Sequence, residues 1–204
     1  MKQNKMRVIG ITGGVGAGKS TVLEYLEKFT GAYVIQADQV GHKLMEPGQV
    51  CYKPMIAMFG KEIVKEDKSI DRRAVSDIVF KNEAMLQKLN ALIHPAVKSW
   101  ILEQVENERK NGRTLFFVEA ALLLEDHYDA FCDEIWYIHA DREVRIERLM
   151  RSRGYSREKA ENIIQNQASE EFFRAHADCV IENNGAVEET SQQIQKEAAR
   201  NEAL

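Results

Sequence analysis

The chain has 204 residues, a formal net charge of −4, 44% hydrophobic and 29% charged residues, and three prolines. That length suits one well-buried core, or a core domain with a small insertion, and the composition lies away from the disordered and membrane classes. No apolar run approaches the ~20 residues that span a bilayer, and the negative balance argues against nucleic acid or an anionic membrane as partner.

The basic start MKQNKMRVIGITGG holds too few apolar residues for a secretory signal, so a cytoplasmic protein is expected. Cys51, Cys132 and Cys179 are odd in number and far apart, which suggests buried structural thiols, with neither a disulfide framework nor a zinc site.

In chain order, RVIGIT (Arg7–Thr12) reads as a strand that stops at glycine, and Val22, Leu23, Leu26 and Phe29 give the following segment helical spacing. AYVI (Ala32–Ile35) reads as a second strand. Helical patterns follow near Gln39–Met45 and Val50–Phe59, around the turn signal Glu46-Pro47-Gly48. Helices dominate Arg72–Asn111, with His94-Pro95 expected to break one from the next. Thr114–Val118, Glu134–His139 and Cys179–Glu182 are further strands. Asp141–Arg153 and Ser156–Asn166 are charged helices joined at Gly154, and Val187–Leu204 is a polar-faced closing helix. Continuous apolar strands separated by helices predict an α/β fold with a parallel sheet covered on both faces.

Gly13-Gly14-Val15-Gly16-Ala17-Gly18-Lys19-Ser20 matches GxxxxGK[ST] in full, between a first strand and a first helix. In that setting backbone N–H groups turn inward around a polyphosphate, the helix directs its positive end at it, Lys19 reaches the β/γ-phosphates and the Ser20 hydroxyl is placed for Mg²⁺. The motif fixes a ligand class and leaves the task open, since GTPases, ATPases and small-molecule kinases share it. Asp38-Gln39-Val40-Gly41 fits the DxxG pattern of a GTPase switch, but no NKxD guanine-reading motif follows.

The segments ITGGVGAGKSTV (11–22), ADQVGHKLMEPG (37–48), IDRRAVSDIVF (70–80), LNALIHPAV (89–97), ALLLE (121–125), ERLMRSRGYSREKA (147–160) and QASEEFFRAHADCVIENNG (167–185), taken together, resemble the dephospho-CoA kinase family over essentially the full chain. The resemblance implies transfer of the γ-phosphoryl group of ATP to the ribose 3′-hydroxyl of dephospho-CoA, giving coenzyme A and ADP. It also implies a P-loop kinase-like three-layer α/β/α fold with a five-stranded parallel sheet. Residues 1–38 and 112–204 would form the nucleotide-binding core, about 39–111 a helical CoA-substrate insertion, and about 148–166 a lid. Gln36, Ala121, Ser152 and Phe173 depart from the family pattern; Gln36 replaces the first acid of an Asp-Ala-Asp sequence and leaves Asp38 alone.

Asp38, read by position, serves equally well as the cap of a helix starting at Gln39 and as the acceptor of a substrate proton; the resemblance favours the second role. Arg148, with Arg151 and Arg153 nearby, is the candidate to neutralise charge on the transferring group, against the alternative of a solvated helix face in which Glu143 and Glu147 form i,i+4 pairs. The nucleotide is assigned to Gly14, Val15, Gly16, Ala17, Gly18, Lys19, Ser20 and Thr21, with Asn183 facing adenine or serving as turn chemistry before Gly185. His94, Arg72 and Arg73 are assigned with Asp38 to the acceptor. Glu119, ending a strand, is the candidate carboxylate for Mg²⁺ alongside Ser20, ahead of Glu125. Competing readings are a P-loop kinase for another nucleoside or nucleotide, and a nucleotide-binding switch or ATPase with no acceptor.

Overall fold

The computed structural model describes residues 6–28 and 31–200. The strands are β1 (Arg7–Thr12), β2 (Ala32–Gln36), β3 (Leu115–Glu119), β4 (Glu134–His139) and β5 (Cys179–Glu182). They form one five-stranded sheet in the order β2-β3-β1-β4-β5, with β1 parallel to β3 and β4, and β4 parallel to β5. The helices are α1 (Lys19–Leu26), α2 (Ala37–Leu44), α3 (Tyr52–Phe59), α4 (Arg72–Phe80), α5 (Glu83–Lys110), α6 (Arg142–Arg153), α7 (Arg157–Gln165), α8 (Glu170–His176) and α9 (Val187–Ala199). Phe29, expected to extend the apolar stripe of α1, lies outside the described residues, as do the last four residues of the expected closing helix.

The described residues fall into two compact units, one within Met1–Val34 and Glu108–Leu204, the other within Ile35–Asn107. In the first, successive strand residues point to opposite faces, and both faces are apolar because both are covered. Ile9, Ile11, Phe117, Trp136, Ile138 and Ile181 share one face and pack with Val22, Leu23 and Leu26 of α1 and with Ile194 and Ala198 of α9. On the opposite face Phe173 of α8 stacks on Tyr137, with ring centroids 5.0 Å apart. Gly10 on this second face leaves room for two core side chains: a Cβ there would stand 2.8 Å from Ile135 Cδ1 and 3.0 Å from Leu123 Cδ1, so both would have to shift. At the start of the sheet, Arg7 forms a forked pair with Glu134, at 2.6 Å to each carboxylate oxygen, and its guanidinium also reaches the carbonyl of Ala198 at 3.3 Å.

The second unit has its own core of Met55, Phe59, Ile63, Ile70 and Val75, closed by Met45, Leu89, Leu92 and Ile93. Gly41, the glycine of the apparent GTPase pattern, is buried inside α2, and a Cβ on it would lie 3.6 Å from Ile93 and Val97 of α5. It is a helix-packing position and not part of a switch loop.

Two local expectations are corrected. His94-Pro95 does not separate two helices, because α5 runs unbroken from Glu83 to Lys110 with Pro95 inside it. Both Pro95 and Ala91, the residue four positions earlier whose carbonyl loses a hydrogen-bond donor, are exposed, so the gap in the ladder falls on the solvent side while the flanking apolar residues keep the helix packed. The expectation of three buried thiols also fails in part: Cys51 is buried, whereas Cys132 and Cys179 are half-buried.

Candidate functional site

The phosphate loop leaves the end of β1 and enters α1 through Gly18, which has φ +88°, in the left-handed region where glycine alone is at ease. No side chain caps α1. The positive end of α1 is therefore not blocked by a capping side chain, and Ser20 and Thr21 in the first turn are exposed. Lys19 Nζ donates to the Gly13 carbonyl at 2.7 Å and lies 3.8 Å from Glu119 Oε1 at the end of the neighbouring strand β3. Glu119 is 9% exposed. An ammonium and a carboxylate thus meet where two adjacent parallel strands end, the edge at which open α/β sheets take their ligands.

Below the loop, Asn183 follows β5 and is buried. Its Nδ2 donates to the Ala17 carbonyl at 2.8 Å, and its Oδ1 accepts from Thr190 Oγ1 at 2.9 Å. Arg148 of α6 donates to the Ala17 carbonyl at 3.2 Å and to the Asn183 carbonyl at 2.8 Å. Its pKa is lowered by burial and by the neighbouring charge of Arg151, which leaves it a guanidinium held close to the loop. Within its own helix Glu143 meets Arg142 at 3.9 Å, one position before it and not at the expected i,i+4 spacing. It pairs with Arg157 at 2.7 Å and ties α6 to α7.

Sequence reasoning missed two side chains on the loop. Arg145 Nε donates to the Val15 carbonyl at 2.9 Å, and the Val15 N–H donates to Gln167 Oε1 at 2.9 Å. Arg145 lies one turn before Arg148, and that spacing was its signal; Gln167 heads the segment 167–185 that carries the resemblance, but nothing local pointed to the loop. Phe173 and Arg174, at a departure from the family pattern, are accounted for by packing: Phe173 covers Tyr137, and Arg174 pairs with Glu170 at 2.7 Å and Glu182 at 3.2 Å.

In the second unit, α2 begins at Ala37 and its N-cap position is Gln36, which makes no side-chain capping bond. Asp38 is therefore not the helix cap; it sits exposed in the first turn, where a carboxylate meets the positive end of the helix. His42, one turn on, has its pKa lowered by burial first and then by Arg72, with Asp38 pulling the other way. The electrostatics around His42 therefore join Asp38 and Arg72, two of the expected acceptor residues. Arg73 is exposed on α4, whose cap is Asp71, accepting from the Arg73 N–H at 2.9 Å. His94 is half-buried within α5, and Glu125 is exposed in a turn. Arg72 also edges an apolar cleft of about 210 Å³ lined by Met45, Met55, Ile70, Val75 and Leu89.

A family model described as dephospho-CoA kinase matches residues 7–189. The chain belongs to the dephospho-CoA kinase family. A relative of that name from Symbiobacterium thermophilum is 38% identical over 190 residues, which cover 93% of this chain and 79% of the relative. Among solved structures, TT1252 from Thermus thermophilus superposes with a TM-score of 0.79 at 29% identity, covering 96% of this chain and 98% of its own. A dephospho-CoA kinase from Campylobacter jejuni gives a TM-score of 0.71 at 26% identity, covering 95% and 98%. With the five-stranded sheet and its phosphate loop, this makes the chain a P-loop kinase of coenzyme A synthesis, as the resemblance of its segments implied.

Proposed function

We propose that this kinase transfers the γ-phosphoryl group of ATP to the ribose 3′-hydroxyl of dephospho-CoA, with Asp38 receiving the hydroxyl proton. The observation that carries the proposal is the pairing of a complete phosphate loop with Lys19 set between the Gly13 carbonyl and Glu119. In this reading the amides of residues 14–21 and Lys19 hold the triphosphate. The 3′-oxygen forms a bond to the γ-phosphorus as the bond from that phosphorus to the β–γ bridging oxygen breaks, and ADP leaves. Phosphoryl transfer passes through a loose transition state, so Asp38 chiefly orients the hydroxyl and takes its proton late. Arg148 stands by the Ala17 corner as the cation for charge on the transferring group. Asn183 shapes that same corner through Ala17, and the nucleotide meets it there.

Mg²⁺ fits the donors present. Among the described residues no group of three His, Cys, Asp or Glu side chains forms a metal cage. A hydroxyl at Ser20 and one carboxylate at Glu119 are what a hard cation needs when phosphates and water complete its shell. Bound there, Mg²⁺ would neutralise charge on the β- and γ-phosphates.

Arg72, Arg73 and His94 are proposed to hold the acceptor, with the arginines matched to its pyrophosphate. The acceptor is proposed to be a small molecule and the enzyme cytoplasmic; no helix among the described residues is long and apolar enough to cross a membrane. The test is acceptor-dependent ADP release. Dephospho-CoA is expected to raise ADP formation well above the ATP-only rate while nucleoside monophosphates do not; equal stimulation by a monophosphate would move the enzyme to a different acceptor.

A further inference from the structure

Val15 stands in the middle of the phosphate loop, and both polar groups flanking it are taken by side chains from beyond β4. Its N–H donates to Gln167 Oε1 at 2.9 Å, and its carbonyl accepts from Arg145 Nε at 2.9 Å. The same Gln167 oxygen accepts a second bond, from Arg145 Nη2, at 2.8 Å. Two donors converging on one atom fix the amide orientation, because the NH₂ end turned inward would face two other N–H groups. Gln167 lies in the connection 166–169 between α7 and α8, and Arg145 lies on α6.

The fit around this contact is close. The Arg145 guanidinium occupies the space that a Cβ at Gly14 would fill, and a Cβ at Gly16 would stand 2.9 Å from the Arg145 carbonyl oxygen. Both glycines therefore admit Arg145 to the loop in addition to shaping it for phosphate. Burial lowers the pKa of Arg145, as expected of a guanidinium drawn from water into this contact.

A backbone N–H carries one hydrogen. If the loop binds a polyphosphate as proposed above, a phosphate oxygen that takes the Val15 N–H must displace Gln167. We infer that Gln167, clamped by Arg145, is a gate on the phosphate loop that competes with the nucleotide's phosphates for the Val15 N–H and opens when they bind. This rests on the polyphosphate reading of the loop. The gate lowers apparent nucleotide affinity by the fraction of molecules in which it is closed, so its removal should tighten binding.

The experiment is titration calorimetry of the full chain with ATP and with ADP, paired with thermal unfolding, for wild type, Gln167→Ala and Gln167→Met. Both substitutions remove the acceptor, and methionine keeps the side-chain length. The expected result is a Kd for ATP and ADP lower by about two- to tenfold, the worth of one net hydrogen bond, together with a lower Tm. Those opposite signs distinguish a gate from a strut, because a side chain that merely supports the loop would lower Tm and weaken binding together. Unchanged or weaker nucleotide binding in the folded variants overturns the gate; should the alanine variant not fold, the methionine variant decides. A wild type that bound no ATP would sink the loop reading and the gate with it, whereas a wild type that bound ATP but did not phosphorylate dephospho-CoA would sink only the proposed acceptor.

Discussion

Replacing Asn183 with alanine should test the support beneath the phosphate loop, since one buried side chain there joins three elements. At 4% exposure, water cannot substitute for it. The change removes the bond from Asn183 Nδ2 to the Ala17 carbonyl and the bond it accepts from Thr190 Oγ1. Each is worth about 1 kcal/mol net, and a buried partner left unpaired adds about 1–3 kcal/mol. Here the orphaned partners keep partial alternatives: the Ala17 carbonyl still accepts from Arg148 at 3.2 Å, and Thr190 Oγ1 still reaches the Glu182 carbonyl at 3.4 Å. The loss should therefore be about 2–4 kcal/mol. For a chain of this length each kcal/mol moves Tm by about 2–4 °C, giving a drop of roughly 5–15 °C. Calorimetric unfolding of Asn183→Ala, Thr190→Ala and the double variant provides the assay. Because the two residues share a bond, the double variant should lose less than the sum of the singles. Full additivity, or an Asn183→Ala melting point within about 2 °C of wild type, would refute the assignment of this network as the loop's support.

Asp38→Asn should leave ATP binding nearly intact while lowering turnover by at least about 10²-fold, measured by calorimetry beside a coupled ADP assay; near-normal turnover would remove the carboxylate from the chemistry. Arg148→Ala should slow transfer more than it weakens ATP binding, and a pure binding defect would confine the residue to holding Ala17 and Asn183. Burial pushes the Cys179 thiol up to about 11, so it should be mostly protonated at neutral pH. Peptide mapping after iodoacetamide treatment at about pH 8 should find it modified more slowly than an unfolded-state thiol, with the rate climbing as pH rises; rapid labelling at neutral pH would contradict that burial.

How much of this could be read from the residues differs by element. Arg7–Thr12 and Glu134–His139 were legible to the residue because strands buried on both faces appear as apolar runs, and the half-buried edge strand Cys179–Glu182 was legible from its short apolar run CVI. The His94-Pro95 break was misread because the local rule against proline ignores where the unpaired carbonyl points, and around Ala91 and Pro95 it can be solvated. Helix α8 was missed because its seven residues, EEFFRAH, carry one buried side chain, Phe173, which is too little for a periodic signal. The phosphate loop and Lys19 were plain from spacing, whereas Gln167, although it heads the segment 167–185 that carries the resemblance, gave no sign of its role. Its contact with Val15 spans 152 positions and depends on α6 and α7 packing together. Asp38 falls between these cases: the sequence located it at the end of β2, and only the start of α2 at Ala37 removed its alternative as the cap.

The central claim is phosphorylation of one particular hydroxyl, and the most direct measurement is proton-coupled phosphorus NMR of the product formed from ATP and dephospho-CoA. The account predicts one new phosphomonoester, coupled to the proton on the ribose 3′ carbon and appearing in step with ADP. A phosphate on the 2′ carbon, or ADP accompanied only by inorganic phosphate, would contradict it.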